Sequence, residues 1–341
     1  MRIVLDAMGS DNHPVPDVAG AVQAAREWGD EIILVGREEI VRGELAKHDA
    51  AALPITVVHA PEVIEMHEHS NAVKRKKNAS IRVGMRMLRQ GQVDAFVSAG
   101  NTTAVLASAI FDLKRIRGIR RPALGTIYPV ANNPVFLLDT GATTDCKPEY
   151  LLQFVRMGTA YVEHVWGVSN PRVGLLSNGE EPDKGSMLVR DTYAVLAESG
   201  LNFVGNVEPK EITRAVADVV VTDGFTGNVM VKTTEAVASF MARYLKQQLT
   251  GGALNKVSLA LMVPGLLAML PGLALMLPSL RRVARRLDYA EYGGALLMGV
   301  DGVVIVGHGR SNTKAVKNAI GQARKAVQGN VVAAIRAGLT E

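Results

Sequence analysis

Six short segments of this chain join glycine to small polar residues, each directly after an apolar run. They are Asp6-Ala7-Met8-Gly9-Ser10-Asp11, Ser98-Ala99-Gly100-Asn101-Thr102 and Asp139-Thr140-Gly141-Ala142, then Ser177-Asn178-Gly179-Glu180-Glu181, Thr222-Asp223-Gly224-Phe225-Thr226-Gly227-Asn228 and Gly307-His308-Gly309-Arg310-Ser311-Asn312. Glycine lets a backbone approach a ligand closely, and a helix N-terminus presents N–H groups without partners to an anion. Any one such segment is equally an ordinary turn with its helix cap. Six in one chain point to an anion-binding crevice. One of them runs on through Pro182-Asp183-Lys184-Gly185. A lysine closing an acidic, glycine-containing loop polarises a carbonyl or holds a phosphate, unless the loop is an exposed turn with surface ion pairs.

Other chemistries lack their residues. No G-x-G-x-x-G follows the first apolar run, and no G-x-x-x-x-G-K-[ST] or G-x-S-x-G occurs. His67-Glu68-His69, with His59 and Glu65 nearby, has neither a zinc spacing nor a helical H-E-x-x-H, so it reads as a solvated loop and no metal is expected. Lys74-Arg75-Lys76-Lys77 is either a solvated charge run or a docking patch for an acidic partner or phosphate.

The elements that must carry these loops alternate. Ile3 to Leu5, Ile32 to Val35, Ile55 to Val58, Ala95 to Ser98, Val135 to Leu138, Val173 to Leu176, Val219 to Thr222 and Val303 to Val306 read as strands. Helical patterns run over Asp17 to Trp28, Glu149 to Trp166, Lys184 to Glu198, Gly227 to Leu249 and Asn312 to Ala337. Buried strands separated by helices predict a mainly parallel, doubly wound sheet in an α/β/α arrangement, with its ligand crevice at the carboxyl ends of the strands. No linker divides the 341 residues, so one α/β domain is expected over 1–341.

Composition agrees. The chain is 48% hydrophobic and 21% charged, which excludes disordered and collagen-like classes. A lone Cys146 cannot form an internal disulfide and suits a reducing cytoplasm, and Met1 to Asp6 reads as a strand rather than a signal peptide. The net charge is +5, yet ten Lys and Arg against four Asp and Glu lie between Arg281 and Glu341. That basic end fits an acidic protein, a phosphate-bearing substrate or an anionic membrane. Nucleic acid is not expected, because no basic segment carries interleaved aromatics.

An ordered set of motifs resembles the bacterial phosphate acyltransferase family of phospholipid synthesis. It comprises Leu5-Asp6-Ala7-Met8-Gly9, Lys74-Arg75-Lys76-Lys77, Val97-Ser98-Ala99-Gly100-Asn101-Thr102, Arg121-Pro122-Ala123-Leu124, Asp145-Cys146-Lys147-Pro148-Glu149 and Pro171-Arg172-Val173-Gly174-Leu175-Leu176. It continues through Gly179-Glu180-Glu181 with Lys184-Gly185, Gly205-Asn206-Val207-Glu208, Asp218 to Asn228, Leu287-Asp288-Tyr289 with Glu291-Tyr292-Gly293-Gly294, and Gly307-His308-Gly309. The resemblance spans about residues 3–320. It implies transfer of a fatty acyl group from acyl-carrier protein to inorganic phosphate, without a cofactor, by a cytoplasmic homodimer. The implied fold is Rossmann-like and related to phosphate acetyltransferases and isocitrate-type dehydrogenases. A metal- and NAD-dependent dehydrogenase of related fold is the rival reading, but the chain offers no assignable acidic metal cluster or adenine loop. The acyl-phosphate product would pass to a membrane glycerol-3-phosphate acyltransferase.

The chemistry sets the site residues. Phosphate is already anionic and a thiol of pKa near 8.5 leaves readily, so the reaction needs a phosphate cradle, an oxyanion donor and alignment rather than a triad. Lys184, Asn228 and His308 are the candidate catalytic groups, with Asp223 and Asp6 orienting donors. Gly9, Ser98, Gly100, Asn101, Thr102 and Gly227 are expected at the phosphate and substrate. Lys74, Arg75, Lys76 and Lys77, with Arg281, Arg282, Arg285 and Arg286, are expected to dock the acidic carrier protein.

From Val257 to Leu280 twenty-four residues carry no charge, long enough for a membrane span. Pro264, Pro271 and Pro278 recur every seven residues and would break a spanning helix repeatedly. Residues 251–288 therefore read as an apolar helical protrusion. Leu266, Leu267, Met269, Leu270, Leu273, Leu275, Met276 and Leu277 are expected to enter one leaflet of an anionic membrane, flanked by basic residues, rather than to bury in a dimer or to span.

Overall fold

β-branched and leucine-rich runs dictate the first half of the sheet. A computed structural model describes residues 1–128, 134–250, 275–278 and 289–339. Its strands are β1 (Arg2–Asp6), β2 (Glu31–Gly36), β3 (Ile55–His59), β4 (Ala95–Ser98), β5 (Ala123–Tyr128) and β6 (Val135–Leu138). They continue with β7 (Val173–Leu176), β8 (Phe203–Val207), β9 (Val219–Val221), β10 (Ala295–Met298) and β11 (Val303–Val306). The helices are α1 (Val15–Trp28), α2 (Glu38–Leu45), α3 (Ala72–Arg75), α4 (Ser80–Arg89), α5 (Thr102–Ser108) and α6 (Pro148–Trp166). After them come α7 (Met187–Ala197), α8 (Pro209–Ile212), α9 (Gly224–Thr250), α10 (Thr313–Gln328) and α11 (Val331–Ala337).

The described strands form one sheet in the order β3-β2-β1-β4-β11-β10-β5-β6-β9-β7-β8. Two parallel blocks, β3-β2-β1-β4-β11 and β6-β9-β7-β8, are joined by β10 and β5, whose pairings to each other and to both blocks are antiparallel. The expected mainly parallel α/β sheet is the fold. Three strands escape the sequence reading: β5, β8 and β10. Their sequences, ALGTIY, FVGNV and ALLM, dilute the β-branched signal with Ala, Gly, Asn and Met. Because β5 and β10 are among them, the antiparallel seam between the blocks was not legible.

Side-chain alternation explains the layers. Ile3 and Leu5 of β1 face one core with Val18 and Ala21 of α1, Phe154 of α6 and Ile320 of α10. Val4 between them faces the opposite core with Ile81 and Met85 of α4 and Val105 of α5. Tyr128, Leu137, Leu176 and Val220 gather a third cluster, against which Met230 and Val231 of α9 pack. The single helix expected over 312–337 is two, because Asn330 takes a left-handed φ of 49° and ends the run after Gly329. The helix expected from Lys184 begins at Met187, with the Ser186 hydroxyl accepting from the Val189 N–H as its cap.

α9 leaves Phe225, Val237, Phe240, Tyr244 and Leu245 exposed. Leu275, Met276 and Leu277, in the helical turn 275–278, are exposed as well. The remaining expected membrane contacts (Leu266, Leu267, Met269, Leu270 and Leu273) and the basic group Arg281, Arg282, Arg285 and Arg286 lie outside the described residues. Among the described residues no helix is long and apolar enough to cross a membrane.

Candidate active site

The antiparallel seam is where the loops converge. A cavity of about 610 Å³ lies across β5 and β10 and against one face of α9. Gly100, Thr102 and Thr103 enter from the end of β4, and Gly307, His308 and Gly309 from the end of β11. Thr140 and Gly141 follow β6, and Asn228 is the fifth residue of α9. Leu124, Ile127 and Tyr128 of β5 with Val231 and Ala238 of α9 make the apolar wall. The Tyr128 hydroxyl and Thr234 Oγ1 share a hydrogen bond of 3.0 Å across it. Four of the six glycine-bearing loops therefore share one cavity.

The loop after β1 supports two of them from behind. Asp6 is buried, and its carboxylate accepts from Ser98 Oγ at 2.8 Å and from the Met8 N–H at 3.1 Å. Burial raises the Asp6 pKa against the pull of these bonds. Ser98 Oγ in turn accepts from the Gly100 N–H at 3.0 Å. A Cβ on Gly9 would stand 2.8 Å from Gly100 N, so only glycine lets these two loops touch. Asn101 is occupied by structure: Oδ1 accepts from the Ala104 N–H as the α5 cap, and Nδ2 donates to the carbonyls of Met66 and Glu68 at 3.0 and 2.8 Å. Asp6, Gly9, Ser98 and Asn101 thus stand behind Gly100 and Thr102, which line the cavity themselves.

On the far side Asp139 organises the loop after β6. Its fully buried carboxylate accepts from the N–H groups of Leu124, Gly141, Ala142 and Thr143 at 2.6 to 3.2 Å. Gly227 fits this loop tightly, since a Cβ there would meet Asp139 O at 1.9 Å. Asp223 accepts from the Phe225 and Thr226 N–H groups and from Thr226 Oγ1, fixing the first turn of α9. Cys146, whose Sγ donates to Thr143 O at 3.3 Å, has its thiol pushed up to about 12, by burial first and then by Asp139 and Asp223. Such a thiol is rarely ionised at pH 7, and the thiolate is the nucleophilic form.

His308 sits at a charged corner. Its Nε2 lies 3.4 Å from Glu235 Oε1, while Arg310 Nη2 donates to Glu235 Oε2 at 2.6 Å. Partial desolvation against α9 lowers the His308 pKa, although its side chain stays half-exposed; Glu235 opposes, and Arg310 and Lys232 add to the fall. The shift favours the neutral imidazole, which carries one N–H.

Other candidates lie elsewhere. Lys184 is exposed on the loop after β7, outside the cavity lining. In the basic run, Lys74, Arg75 and Lys77 are exposed, whereas Lys76 Nζ donates to Val63 O and Glu68 Oε2. Among the described residues no group of His, Cys, Asp or Glu converges as a metal site. Lys232, Thr234, Glu235 and the β5 wall were missed in the sequence. The signal was present for α9: from Asn228, positions 231, 232, 235 and 238 fall on one helical face.

Relatives agree with this architecture. A family model described as "Fatty acid synthesis protein" matches residues 1–334. The chain is 49% identical to a phosphate acyltransferase of Herpetosiphon aurantiacus, over 98% of this chain and 96% of that one. It is 44% identical to the phosphate acyltransferase of Geobacter sulfurreducens, over 97% and 92% respectively. A phosphotransacetylase from Streptococcus pyogenes shares the fold at a TM-score of 0.58 and 15% identity, covering 98% of this chain and 94% of that one. Across nearly its whole length, then, the chain belongs to the phosphate acyltransferase family of fatty acid and phospholipid synthesis, a family of acyltransferases.

Proposed function

We propose that the protein moves a fatty acyl group from acyl-acyl-carrier protein to inorganic phosphate, giving acyl-phosphate for phospholipid synthesis. The observation that carries this reading is the division of the cavity. Its glycine, threonine, asparagine and histidine end suits a phosphate and a developing oxyanion. Its apolar wall on β5 and α9 suits an acyl chain. A phosphate oxygen attacks the thioester carbonyl, and charge builds on the former carbonyl oxygen. Asn228, His308 and the N–H groups of Asn101 and Thr102 are the donors this reading assigns to the two anions. The C–O bond forms, the C–S bond breaks, and the carrier thiolate leaves to take a proton from water. Lys184 remains a candidate if the loop after β7 meets the bound carrier.

Purified protein should release thiol from a long-chain acyl-carrier protein only when phosphate is supplied, and without added metal. Thiol titration against phosphate concentration reads this directly. Equal release without phosphate would refute the reaction.

The carrier is acidic, and Lys74, Arg75 and Lys77 with the Arg281 to Arg286 group offer it opposite charge. The exposed apolar side chains of α9 support a homodimer. We place the protein in the cytoplasm and peripherally on the membrane, where a glycerol-3-phosphate acyltransferase would receive the poorly soluble product. Support for this comes from the uncharged stretch 257–280 and from the exposed Leu275, Met276 and Leu277. Wild-type protein should float with anionic vesicles, and Leu266→Glu/Leu273→Glu should not, while keeping its turnover in solution. Equal flotation of the two would place the apolar stretch elsewhere.

A further inference from the structure

A second cavity, of about 460 Å³, adjoins the first, lined by Lys232, Ser239, Arg243 and Arg310 with Glu235 and His308. Lys232, Glu235 and His308 belong to both cavities, so the two share a wall. Lys232, Glu235, Ser239 and Arg243 recur at helical spacing along one face of α9. Arg310 reaches the same carboxylate from the loop after β11.

Charge decides what such a place can hold. Glu235 pairs with Arg310 at 2.6 Å. Lys232 and Arg243 have no acidic partner among the described residues, and the shift at His308 favours its neutral form. Among the described residues two positive charges therefore stand uncompensated in one concave site. The fork of Arg243 matches a tetrahedral oxyanion, Lys232 supplies a point charge, the Ser239 hydroxyl can donate, and the Arg310–Glu235 pair borders the site. Nothing in the core needs this arrangement, since α9 is exposed here.

The geometry points to a phosphate-binding subsite, formed by Lys232, Ser239 and Arg243 beside the reacting centre. This rests on the acyl-transfer reading and extends it. Two reactants carry the group: inorganic phosphate, and the pantetheine arm of the carrier through its phosphodiester. The charge and shape of the subsite suit either.

Arg243 tests it, because this residue lines only the second cavity. Arg243→Glu should raise one Michaelis constant at least tenfold with kcat within threefold of wild type, and Arg243→Lys should recover part of the loss. A raised constant for phosphate assigns the subsite to the inorganic substrate. A raised constant for acyl-carrier protein assigns it to the arm, provided wild type and variant use acyl-pantetheine, which lacks the phosphate, equally well. Unchanged constants for both substrates, or a fall in kcat alone, overturn the subsite. Calorimetry of inorganic phosphate and of 4′-phosphopantetheine on wild type and Arg243→Glu separates this result from a failure of the reaction. Weaker binding of either probe to the variant keeps the subsite even if no thiol is released, and equal binding of both removes it.

Discussion

Asn228→Ala should lower turnover at least a hundredfold and leave the melting temperature within a few degrees of wild type. Asn228 stands half-buried near the start of α9, and a Cβ built on Gly141 across the cavity would lie 3.7 Å from its Cγ. That narrow gap lies between two loops fixed by buried or capping carboxylates, Asp139 and Asp223. An amide held there costs no reorganisation when negative charge develops, which is why such donors are effective. Losing one oxyanion donor costs about 2.7–4 kcal/mol, or roughly a hundred- to a thousandfold in rate. Asn228→Asp should be at least as inactive, since it exchanges the donor for a second negative charge. Steady-state thiol release with a thermal melt on each variant is the measurement, and a near-normal Asn228→Ala rate would remove this residue from the site. Lys184→Ala in the same series reports on the loop after β7. If Lys184 remains in solvent throughout the cycle, the variant turns over within about threefold of wild type, in line with the small effect of surface substitutions. A loss matching that of Asn228→Ala means the loop meets the bound carrier.

The contrast between Asn228 and Lys184 shows what local sequence could and could not specify. Glycine-bearing loops were legible because turn and cap chemistry is local. Which loops meet depends on strand order, and that is set by pairings far apart in sequence. β4 and β11 are parallel neighbours though some two hundred residues separate them, whereas the loop after β7 lies in the other block. The strands that fix this relation, β5 (ALGTIY) and β10 (ALLM), dilute their apolar runs with Ala, Gly or Met and so gave no period-2 signal. Asn101 illustrates a second limit. Its type and position fit a phosphate ligand, yet the same amide caps α5 and ties down residues 66–68. A side chain that serves a cap looks identical in sequence to one that serves a substrate. Glu235 was illegible for a third reason. One acidic residue in a long helix means nothing until the loop after β11 brings His308 and Arg310 beside it.

The wild-type protein should lose about 2–3 kcal/mol of stability between pH 5 and pH 8 through one residue, Asp17, by linkage between its folded and unfolded pKa. Asp17 is fully buried in the first turn of α1. One carboxylate oxygen accepts from Ser10 Oγ at 2.6 Å, and Oδ1 has no partner. Burial is the largest influence and raises its pKa to about 7; Ser10 opposes, and the negative charge of Asp6 adds to the rise. The sign follows from proton counting. The unfolded chain gives up this proton near pH 4 and the folded chain only near pH 7, so the folded state binds more protons between those values. Stability is therefore highest at the acid end of this window, falls through it, and levels off above about pH 8. Asp17→Asn keeps an acceptor for Ser10 and removes the charge. Its unfolding free energy relative to wild type should rise by about 2–3 kcal/mol from pH 5 to pH 8 in urea titrations, with Asp6 contributing pH dependence common to both proteins. Parallel curves would show that Asp17 is charged in the fold at no cost. The effect reaches the cavity because Ser10 belongs to the loop after β1. In that loop Gly9 abuts Gly100, and the Asp11 N–H donates to Gly309 O at 2.7 Å. The cost lies in the buried charge rather than in the Ser10 bond, and because that charge sits behind the β4 and β11 loops, Asp17→Asn should also flatten the alkaline side of the turnover profile.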